Sequence, residues 1–512
     1  MRAEAPPGWC VATIMDIATT SGGGTPPKAD AAYWAGGELP WVSPKDMKRF
    51  LVNGSEDAVT TKALERLTLV PTHSVLVVVR SGILSRTLPV AINVIPVTIN
   101  QDMRAFVPSR SVEPRYVAWQ LIANERAILD RCAKDGTTVA SIEGPALASH
   151  PFAVAPAAEQ TRIVDKLEEL LSDLDAGVAE LKAAQKKLAQ YRQSLLKAAV
   201  EGRLTEAWRA QHGEPEESGA QLLARILRER RARWEAKQLA KFEAQGKAPP
   251  RGWQAGYDEP SSANDTKLPA LPSGWTWATL GELTDTLTSG SRDWSPFYDR
   301  GTCTFVMAQN VRPWRPDFTF KQLVDPPQGH RDRARSMIRK DDLLVTIVGA
   351  NTGQACRVDK DLSDHFVCQS VALIRLSDRA LSEFVNAVLN SPEHGQRQFR
   401  EMNYGAGRPH LSFDQLESVL VPLPPLVEQQ ELLRQLEIAQ SLIDGIESQI
   451  ATAREYCAAQ RKNILQAAFS GQLVPQDPTD EPASVLLERI RAERARHGAA
   501  KPPRGRKTKE SV

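Results

Sequence analysis

The chain of 512 residues contains little cysteine and no long apolar run. No stretch approaches the roughly 20 apolar residues of a membrane-spanning helix. The N-terminal sequence MRAEAPPGW lacks the apolar core of a secretory signal. The cysteines form no C-x-x-C pair, which favours reduced thiols in a cytosol. They are Cys10, Cys132, Cys303, Cys356, Cys368 and Cys457. We therefore expect a cytoplasmic protein that does not bind a membrane.

The common catalytic motifs are also absent. The glycine-rich segments at 21–27 and 404–409 do not match G-x-G-x-x-G, and GANTGQ at 349–354 lacks the G-K-[ST] of a phosphate-binding loop. The segment DPPQ at 325–328 resembles the motif of amino-methyltransferases, but it has Gln where an aromatic ring stacks on the flipped base. No Ser, Cys or His stands in a nucleophile arrangement. We expect no catalytic residues and no cofactor bound by the chain itself.

One weak metal pattern is present. Cys356, His365 and Cys368 form C-x8-H-x2-C, whereas a structural zinc site needs four ligands. The alternative is a buried cysteine beside a strand and a surface histidine. Because no fourth ligand is evident, we expect no metal site.

What the chain does contain is an internal repeat. The length of the whole chain predicts two or more domains, and the chain's content of 42% hydrophobic and 25% charged residues is typical of globular proteins. APPGWCVATI (5–14) matches LPSGWTWATL (271–280), and PAAEQTRIV (156–164) matches PLVEQQELL (425–433). Further matched pairs lie 266 to 269 residues apart along the chain. The sequence therefore predicts two copies of one unit of roughly 250 residues, too long for a solenoid repeat.

Each copy changes character partway. Short β-rich runs broken by Gly and Pro come first, and a long helix follows. Apolar residues recur every seven positions in both helices, which predicts coiled-coil seams. The seam residues are Leu167, Leu174, Leu181, Leu188, Leu195, Leu436, Ile443, Ile450 and Ile464, and companion positions include Tyr191 and Ile446.

These helices have two possible partners. They could form a homodimeric coiled coil, or they could pair with each other inside one chain. We favour the second arrangement because the two equivalent helices can cover each other's seams. At 1.5 Å per residue each helix would be about 65 Å long. The predicted fold is α+β, with two α/β domains of duplicated origin separated by two long antiparallel coiled-coil helices, in pseudo-twofold symmetry.

Basic and aromatic residues indicate nucleic-acid recognition, because cations bind phosphates and planar or amide groups read base edges. Residues 311–340 are rich in Arg, although each globular half is nearly neutral and such a loop could be merely solvated. The candidate DNA-binding residues are Lys28, Tyr33, Trp34, Lys45 and Lys48 in the first copy, and Arg292, Trp294, Tyr298, Gln309, Asn310 and Arg312 in the second. Gln101 and Gln369 match between the copies, but we favour a recurring buried amide there and leave both out of the set.

The whole pattern resembles the DNA specificity subunit of type I restriction-modification systems. SGGGTPPKADAAYWAGGELPWVSPKDM (21–47) and SGSRDWSPFYDRGTCTFVMAQNV (289–311) resemble two groups of target-recognition domains in that family. PLPPLVEQQELL (422–433) resembles the usual entry to its conserved helix, whereas HPFAVAPAAEQ in the first copy departs from that entry. The resemblance implies recognition of an asymmetric, bipartite double-stranded DNA target.

The resemblance also implies partners. Two methyltransferase subunits would dock on the helices and methylate adenine, and two motor-nuclease subunits would complete the enzyme. S-adenosylmethionine, ATP and Mg²⁺ would belong to these partners. Two alternatives remain: a methylation-only or type IIB-like system, and a coiled-coil scaffold that binds no DNA.

The domain organisation follows from the repeat and the resemblance. The segments after the helices are rich in Arg, and we weigh contact with a partner or DNA against a solvated helix followed by a linker. The expected order is target-recognition domain 1 (1–155), spacer helix 1 (156–202), a charged helix and linker (203–270), target-recognition domain 2 (271–424), spacer helix 2 (425–471) and a charged tail (472–512).

Overall fold

The chain divides into two compact units, and each is a mixture of helices and sheets. Unit 1 comprises Met1–Lys182 with Ala451–Val512, and unit 2 comprises Ala183–Ile450. The computed structural model describes residues 5–134, 140–264, 268–292, 294–362, 364–403, 407 and 409–499. Within these residues no helix has the length and apolarity needed to cross a membrane.

Unit 1 contains a globular domain built on one large and several small sheets. Its strands are β1 (Cys10–Thr13), β2 (Ala18–Gly22), β3 (Leu39–Val42), β4 (Leu51–Val52), β5 (Ala58–Val59), β6 (Val75–Val78), β7 (Val90–Asn93), β8 (Thr98–Ile99), β9 (Met103–Pro108), β10 (Ala133–Lys134), β11 (Ser141–Ile142) and β12 (Pro151–Val154). Its helices are α1 (Ile14–Ile17), α2 (Pro114–Ala123), α3 (Glu125–Cys132) and α4 (Gly144–Ala148).

The sheet order of unit 1 follows from its apolar runs. The run at β6 is buried at every residue and lies at the centre of the five-stranded sheet, in the order β2-β9-β6-β7-β4. A second sheet has the order β5-β3-β8, with β3 and β8 parallel. β1 and β12 form an antiparallel pair that brings the two ends of the domain together.

Unit 2 contains the second globular domain. Its strands are β13 (Thr276–Thr279), β14 (Thr284–Ser289), β15 (Tyr298–Val306), β16 (Gln322–Val324), β17 (Leu343–Thr346), β18 (Ala355–Arg357), β19 (His365–Val367), β20 (Val371–Leu376) and β21 (Leu420–Leu423). Its helices are α8 (Leu280–Leu283), α9 (Arg331–Ser336), α10 (Ser382–Asn390), α11 (Gly395–Asn403) and α12 (Phe413–Glu417).

The two domains share one core topology, and the large sheet of the first has an additional edge strand, β4. The second has a sheet of order β14-β20-β17-β18, a sheet of order β16-β15-β19 and a terminal pair β13-β21. The buried strand β17 corresponds to β6, and the parallel pair β15–β19 corresponds to β3–β8. The duplicated mixed fold predicted from the sequence is therefore confirmed. The symmetry that relates the copies stays a prediction.

Two long helices of 44 residues each follow the domains, α5 (Ala157–Val200) and α13 (Leu426–Phe469). Each begins just after a proline, which suits the first helical positions because its missing N–H has no intrahelical partner there. Each helix contributes to both units.

The halves of the two helices run antiparallel within each unit. In unit 1, Arg461 donates to Asp175 at 2.8 Å, and Arg162, earlier on α5, pairs with Asp480, later in the chain. In unit 2, Arg192 contacts Asp444 at 2.6 Å, and Thr205, beyond α5, donates to Glu428 near the start of α13.

The seam residues lie on the covered side of these helices. Leu167, Leu195, Leu436, Ile443 and Ile450 are buried. Leu174, Leu181, Leu188 and Ile464 are partly buried. Two companion positions differ from the expectation, because Tyr191 is 55% and Ile446 is 44% exposed. The antiparallel contacts cover a narrower stripe than a full heptad pattern implies.

The segments after the long helices are structured helices that pack on the domains. After α6 (Glu206–His212), α7 (Gly219–Ala244) buries Leu222 and Ile226 in the core of unit 2. Residues expected to be linker fold back on α7, where Trp253 stacks on Trp234 with ring centroids 5.8 Å apart. In unit 1, α14 (Ala483–Ala499) buries its apolar side chains in the first domain's core. The predicted charged tail beyond residue 499 lies outside the described residues.

Candidate nucleic-acid interface

A corner between two sheets carries Gln369 in unit 2. The chain leaves β19 of the three-stranded sheet and enters β20 of the four-stranded sheet within three residues. Gln369 is the middle residue of this turn, and its side chain is exposed. The turn is fixed by the backbone, since Ile347 N–H donates to Ser370 at 2.9 Å and Gly290 N–H donates to Cys368 at 3.1 Å.

This corner lines a cleft of about 510 Å³. The end of β14, the end of β17, the start of α9 and the segment before α12 form its walls. The residues with polar or charged side chains in these walls are Ser289, Ser291, Arg292, Arg331, Asp332, Arg335, Gln369, His410 and Ser412. An open cleft with amide, imidazole and guanidinium groups can bind phosphate and base edges of DNA.

The charge of the cleft is positive. Its three arginines face one carboxylate, that of Asp332. Arg335 Nε donates to Asp332 at 2.8 Å, and this bond holds the pKa of the Asp332 carboxyl below its usual range. Arg335 also donates to the Thr288 hydroxyl at 3.1 Å. Arg331 is 90% exposed at its side chain and lies 3.6 Å from Asp332, so most of its guanidinium faces solvent.

The first domain has the same corner. Gln101 lies between β8 and β9 and is exposed, and Val79 N–H donates to Asp102 at 2.8 Å. Thr25 Oγ1 donates to the side-chain Oε1 of Gln101. Arg80 at the end of β6 is 63% exposed at its side chain. This corner therefore also combines an exposed amide with an exposed guanidinium.

The first set of sequence candidates splits between surface and core. Lys28 is exposed, and Lys48 is exposed beside Glu56 at 3.4 Å. Lys45 bonds Asp57 at 2.9 Å and Glu56 at 3.2 Å, and these hydrogen bonds raise its pKa.

The two aromatic candidates of this domain are held by the protein. Tyr33 is only 5% exposed, and its hydroxyl accepts from Arg66 at 3.2 Å. Trp34 is half-buried against Trp41, and its indole N–H donates a hydrogen bond to the Pro27 carbonyl oxygen at 3.1 Å. Tyr33 packs the small sheet and is not available to a base, which corrects the prediction for that residue.

The second set splits in the same way. Arg292 lines the cleft, Gln309 is exposed and Arg312 is half-buried. Trp294 is fully buried among Phe305 and Phe366, so its prediction as a DNA contact is wrong because the ring fills the core of the small sheet.

Asn310 and Tyr298 also serve the fold. Asn310 is 1% exposed, and its amide bonds Met307, Asp317 and Phe320 backbone groups, which shapes the loop that follows β15. Its prediction as a base contact is therefore also wrong. Tyr298 is half-buried against Phe305, and burial raises the pKa of its hydroxyl.

Part of the cleft is formed by residues that the sequence did not indicate. Arg331 and Arg335 stand in the Arg-rich stretch, but only α9 brings them to Arg292. His410 arrives from a distant segment through a β-bridge with Val348. The equivalent bridge in unit 1 joins Arg80 and Ser141, so aligning the two copies at this point is the signal that could have found His410.

The cysteine and histidine pattern lies in the core. Cys356 is fully buried, which raises the pKa of its thiol to about 12. Burial also raises the pKa of the Cys368 thiol. His365 Nδ1 lies 2.6 Å from Asp364. Among the described residues no group of three His, Cys, Asp or Glu side chains is arranged to hold a metal ion.

Comparison with known proteins gives consistent matches. A family model described as the type I restriction modification DNA specificity domain matches residues 6–183. The specificity subunit of the Escherichia coli type I enzyme EcoR124I/EcoR124II is 38% identical over 189 residues, which are 36% of this chain and 47% of that protein. The chain therefore aligns with about half the length of that relative. The Salmonella potsdam StySPI specificity subunit is 23% identical over 98% of this chain and 99% of its own length.

Solved structures match over most of the chain. A chain from a study of complex assembly and conformational transition of the type I R-M system aligns with a TM-score of 0.60 and 17% identity over 92% of this chain and 100% of its own. The HsdS subunit from Thermoanaerobacter tengcongensis aligns with a TM-score of 0.51 and 17% identity, over 92% of this chain and 99% of its own length. At this identity the likeness establishes a shared fold.

Proposed function

Because the chain belongs to the family of DNA specificity subunits of type I restriction-modification systems, we propose that it selects an asymmetric, bipartite DNA target. Each globular domain reads one half-site. The cation-lined cleft of unit 2 and the matching corner of unit 1 are the surfaces that we assign to this task. The exposed candidates Lys28, Lys45, Lys48 and Gln309 are proposed to contact DNA as well.

The observation that carries this proposal is that two domains with matching core strands present different side chains at the equivalent corner. At the corner, Arg80 and Ser141 in unit 1 correspond to Val348 and His410 in unit 2. Since side chains at equal positions differ, the base edges that they recognise differ too. A duplicated reader of this kind selects two unlike half-sites.

The two long helices have a separate task in this proposal. They set the spacing between the half-sites, which lie about 34–36 Å apart when separated by one helical turn of DNA. The domain order expected from the sequence, with spacer helices at 156–202 and 425–471, is retained as part of the proposal. Two methyltransferase subunits dock on the helical regions, and two motor-nuclease subunits complete the assembly.

The chain itself is proposed to be non-catalytic and to work in the cytoplasm. Methylation of adenine at N6 and cleavage of DNA belong to the partner subunits, which use S-adenosylmethionine, ATP and Mg²⁺. No residue of the unit 2 cleft or of the unit 1 corner is assigned a chemical step.

Long-read sequencing of modified bases in host DNA tests the proposal, with the gene intact, deleted and restored on a plasmid. We expect N6-methyladenine in one gapped, asymmetric motif, its loss on deletion and its return on restoration. Deletion that leaves a gapped motif fully methylated would contradict the proposal. Purified complex of chain and methyltransferase should also retain DNA less strongly as salt increases, which a scaffold that binds no DNA would not do.

A further inference from the structure

Gln101 and Gln369 occupy the same position in two domains that otherwise differ at the corner. Each lies in the short turn that joins a strand of the small sheet to a strand of the large sheet. Both side chains are exposed, so the recurring buried amide that the sequence favoured is wrong.

The turn is held in place by a glycine that admits no side chain. A Cβ on Gly23 would lie 1.8 Å from the Asn100 carbonyl oxygen, and a Cβ on Gly290 would lie 1.6 Å from that of Val367. Because real Cβ atoms do not approach backbone so closely, the strand end must carry glycine to lie against the turn. This contact fixes the backbone one residue before Gln101 and two residues before Gln369.

Both amides are exposed, and they differ in the hydrogen bonds that they make within the protein. Gln101 accepts from Thr25 Oγ1, and its Nε2 lies 3.4 Å from Asp102. The Gln369 amide makes no hydrogen bond with another described residue and lines the cleft beside Arg292. An exposed, positioned amide in a cationic cleft has the donor and acceptor that one edge of adenine requires.

We propose that Gln101 and Gln369 each read an adenine in the major groove, with Nε2 donating to N7 and Oε1 accepting from the N6 amino group. This inference rests on the proposed function and adds to it a letter common to both half-sites. The residues around each glutamine differ between the domains and read the letters that differ.

The test is modified-base sequencing of hosts that carry variants of the full-length gene. In Gln369→Ala one position of the second half-site should lose its requirement for adenine, with discrimination reduced about ten- to hundred-fold. Gln369→Glu should shift that position towards cytosine, because a carboxylate accepts from the cytosine amino group. Gln101→Ala should change the first half-site alone.

Two controls distinguish a loss of base recognition from a loss of the folded structure. Gln328→Ala removes another exposed glutamine of the second domain and should leave the motif unchanged. The variants should unfold at the wild-type temperature, because both glutamines are on the surface. The inference is overturned if both half-sites keep every adenine requirement, or if a correctly folded variant loses all targets equally. A wild-type host without a gapped motif would instead contradict the proposed function itself.

Discussion

At the scale of single residues, a repeated tryptophan and glutamate join each domain to the start of a long helix. Trp9 donates its indole N–H to Glu159 at 3.0 Å in unit 1, and Trp275 donates to Glu428 at 2.8 Å in unit 2. All four side chains are buried. The repeated Gly-Trp of the sequence is therefore a structural joint that both copies need.

The two joints differ in how the other carboxylate oxygen is satisfied. Glu428 Oε1 accepts from Thr205 and from Arg209. Glu159 Oε1 is buried without a hydrogen bond to a described residue, and burial raises the pKa of that carboxyl. The same substitution should consequently have unlike effects at these equivalent positions.

We expect Glu428→Gln to lower the free energy of unfolding by about 1.5–3 kcal/mol, because it removes the charge from a hydrogen bond to an arginine. Glu159→Gln should cost less than that, because among the described residues no cation bonds the Glu159 oxygens. Urea denaturation, followed by hydrogen exchange at amides of each unit, measures both. Equal losses at the two positions would contradict the role given to Arg209.

The raised pKa of the Glu159 carboxyl predicts that the stability of the protein depends on pH. A carboxyl whose pKa is raised by folding stabilises the protein below its unfolded pKa, about 4.3, and this contribution is lost as the pH rises through the folded value. Wild-type stability relative to Glu159→Gln should therefore fall between acidic and neutral pH. Denaturation midpoints at pH 5 and pH 7.5 give the comparison, and a difference that rises with pH would refute the assigned cause.

Residue chemistry could be predicted from the sequence better than residue exposure. Arg292 lines an open cleft, as a DNA contact requires, whereas Trp294 two positions later fills a core. Both types suit DNA, and only the packing of β15 and β19 decides which one faces solvent. Gln369 shows the reverse error, since an exposed corner cannot be recognised from its neighbours Val367 and Cys368, which are buried.

At the scale of elements, the heptad pattern predicted the long helices well and their covered stripe less well. Leu167 and Ile443 are buried as a seam requires, but Ile446 is exposed three residues after Ile443. Sequence periodicity gives the helix and one apolar face. The width of the covered face depends on the neighbouring helix, which periodicity does not specify.

We predict that Ile443→Ala and Ile446→Ala differ sharply. Ile443 is 2% exposed in the core of unit 2, so its truncation should cost about 2–5 kcal/mol. Ile446→Ala removes the same atoms from a 44% exposed position on the same helix and should change stability by less than about 1 kcal/mol. Chemical denaturation of the full-length variants measures this difference. Equal costs would mean that Ile446 is covered in solution.

At the scale of the whole molecule, the repeat predicted the duplicated domains, because each matched segment has an equivalent place in the fold. Strands β6 and β17 and the joints at Trp9 and Trp275 are examples. The partners of the segments after the helices could not be predicted. Their amphipathic sequences fit a solvated helix as well as a packed one, and only tertiary contacts distinguish the two.

Those contacts make the first domain depend on the far end of the chain. Ala483 N–H donates to the Gly8 carbonyl at 2.8 Å, and Arg162 Nη2 donates to Asp480 at 2.6 Å. The large buried apolar side chains that α14 adds to the core of unit 1 are Leu486, Leu487 and Ile490. Each such side chain is worth about 1.5–3 kcal/mol when fully buried.

A chain ending at residue 476 should therefore lose stability in unit 1 by several kcal/mol, since it lacks all of these contacts. Hydrogen exchange should accelerate at the amides of α1 and β1, while β13 and α8 in unit 2 keep their protection. A chain ending at residue 499 retains every contact described and is the control. Unchanged exchange in α1 after the longer truncation would show that α14 is not part of the first domain. Faster exchange confined to unit 1 would mean that the first globular domain is completed by helix α14, which follows it by more than 300 residues in the sequence.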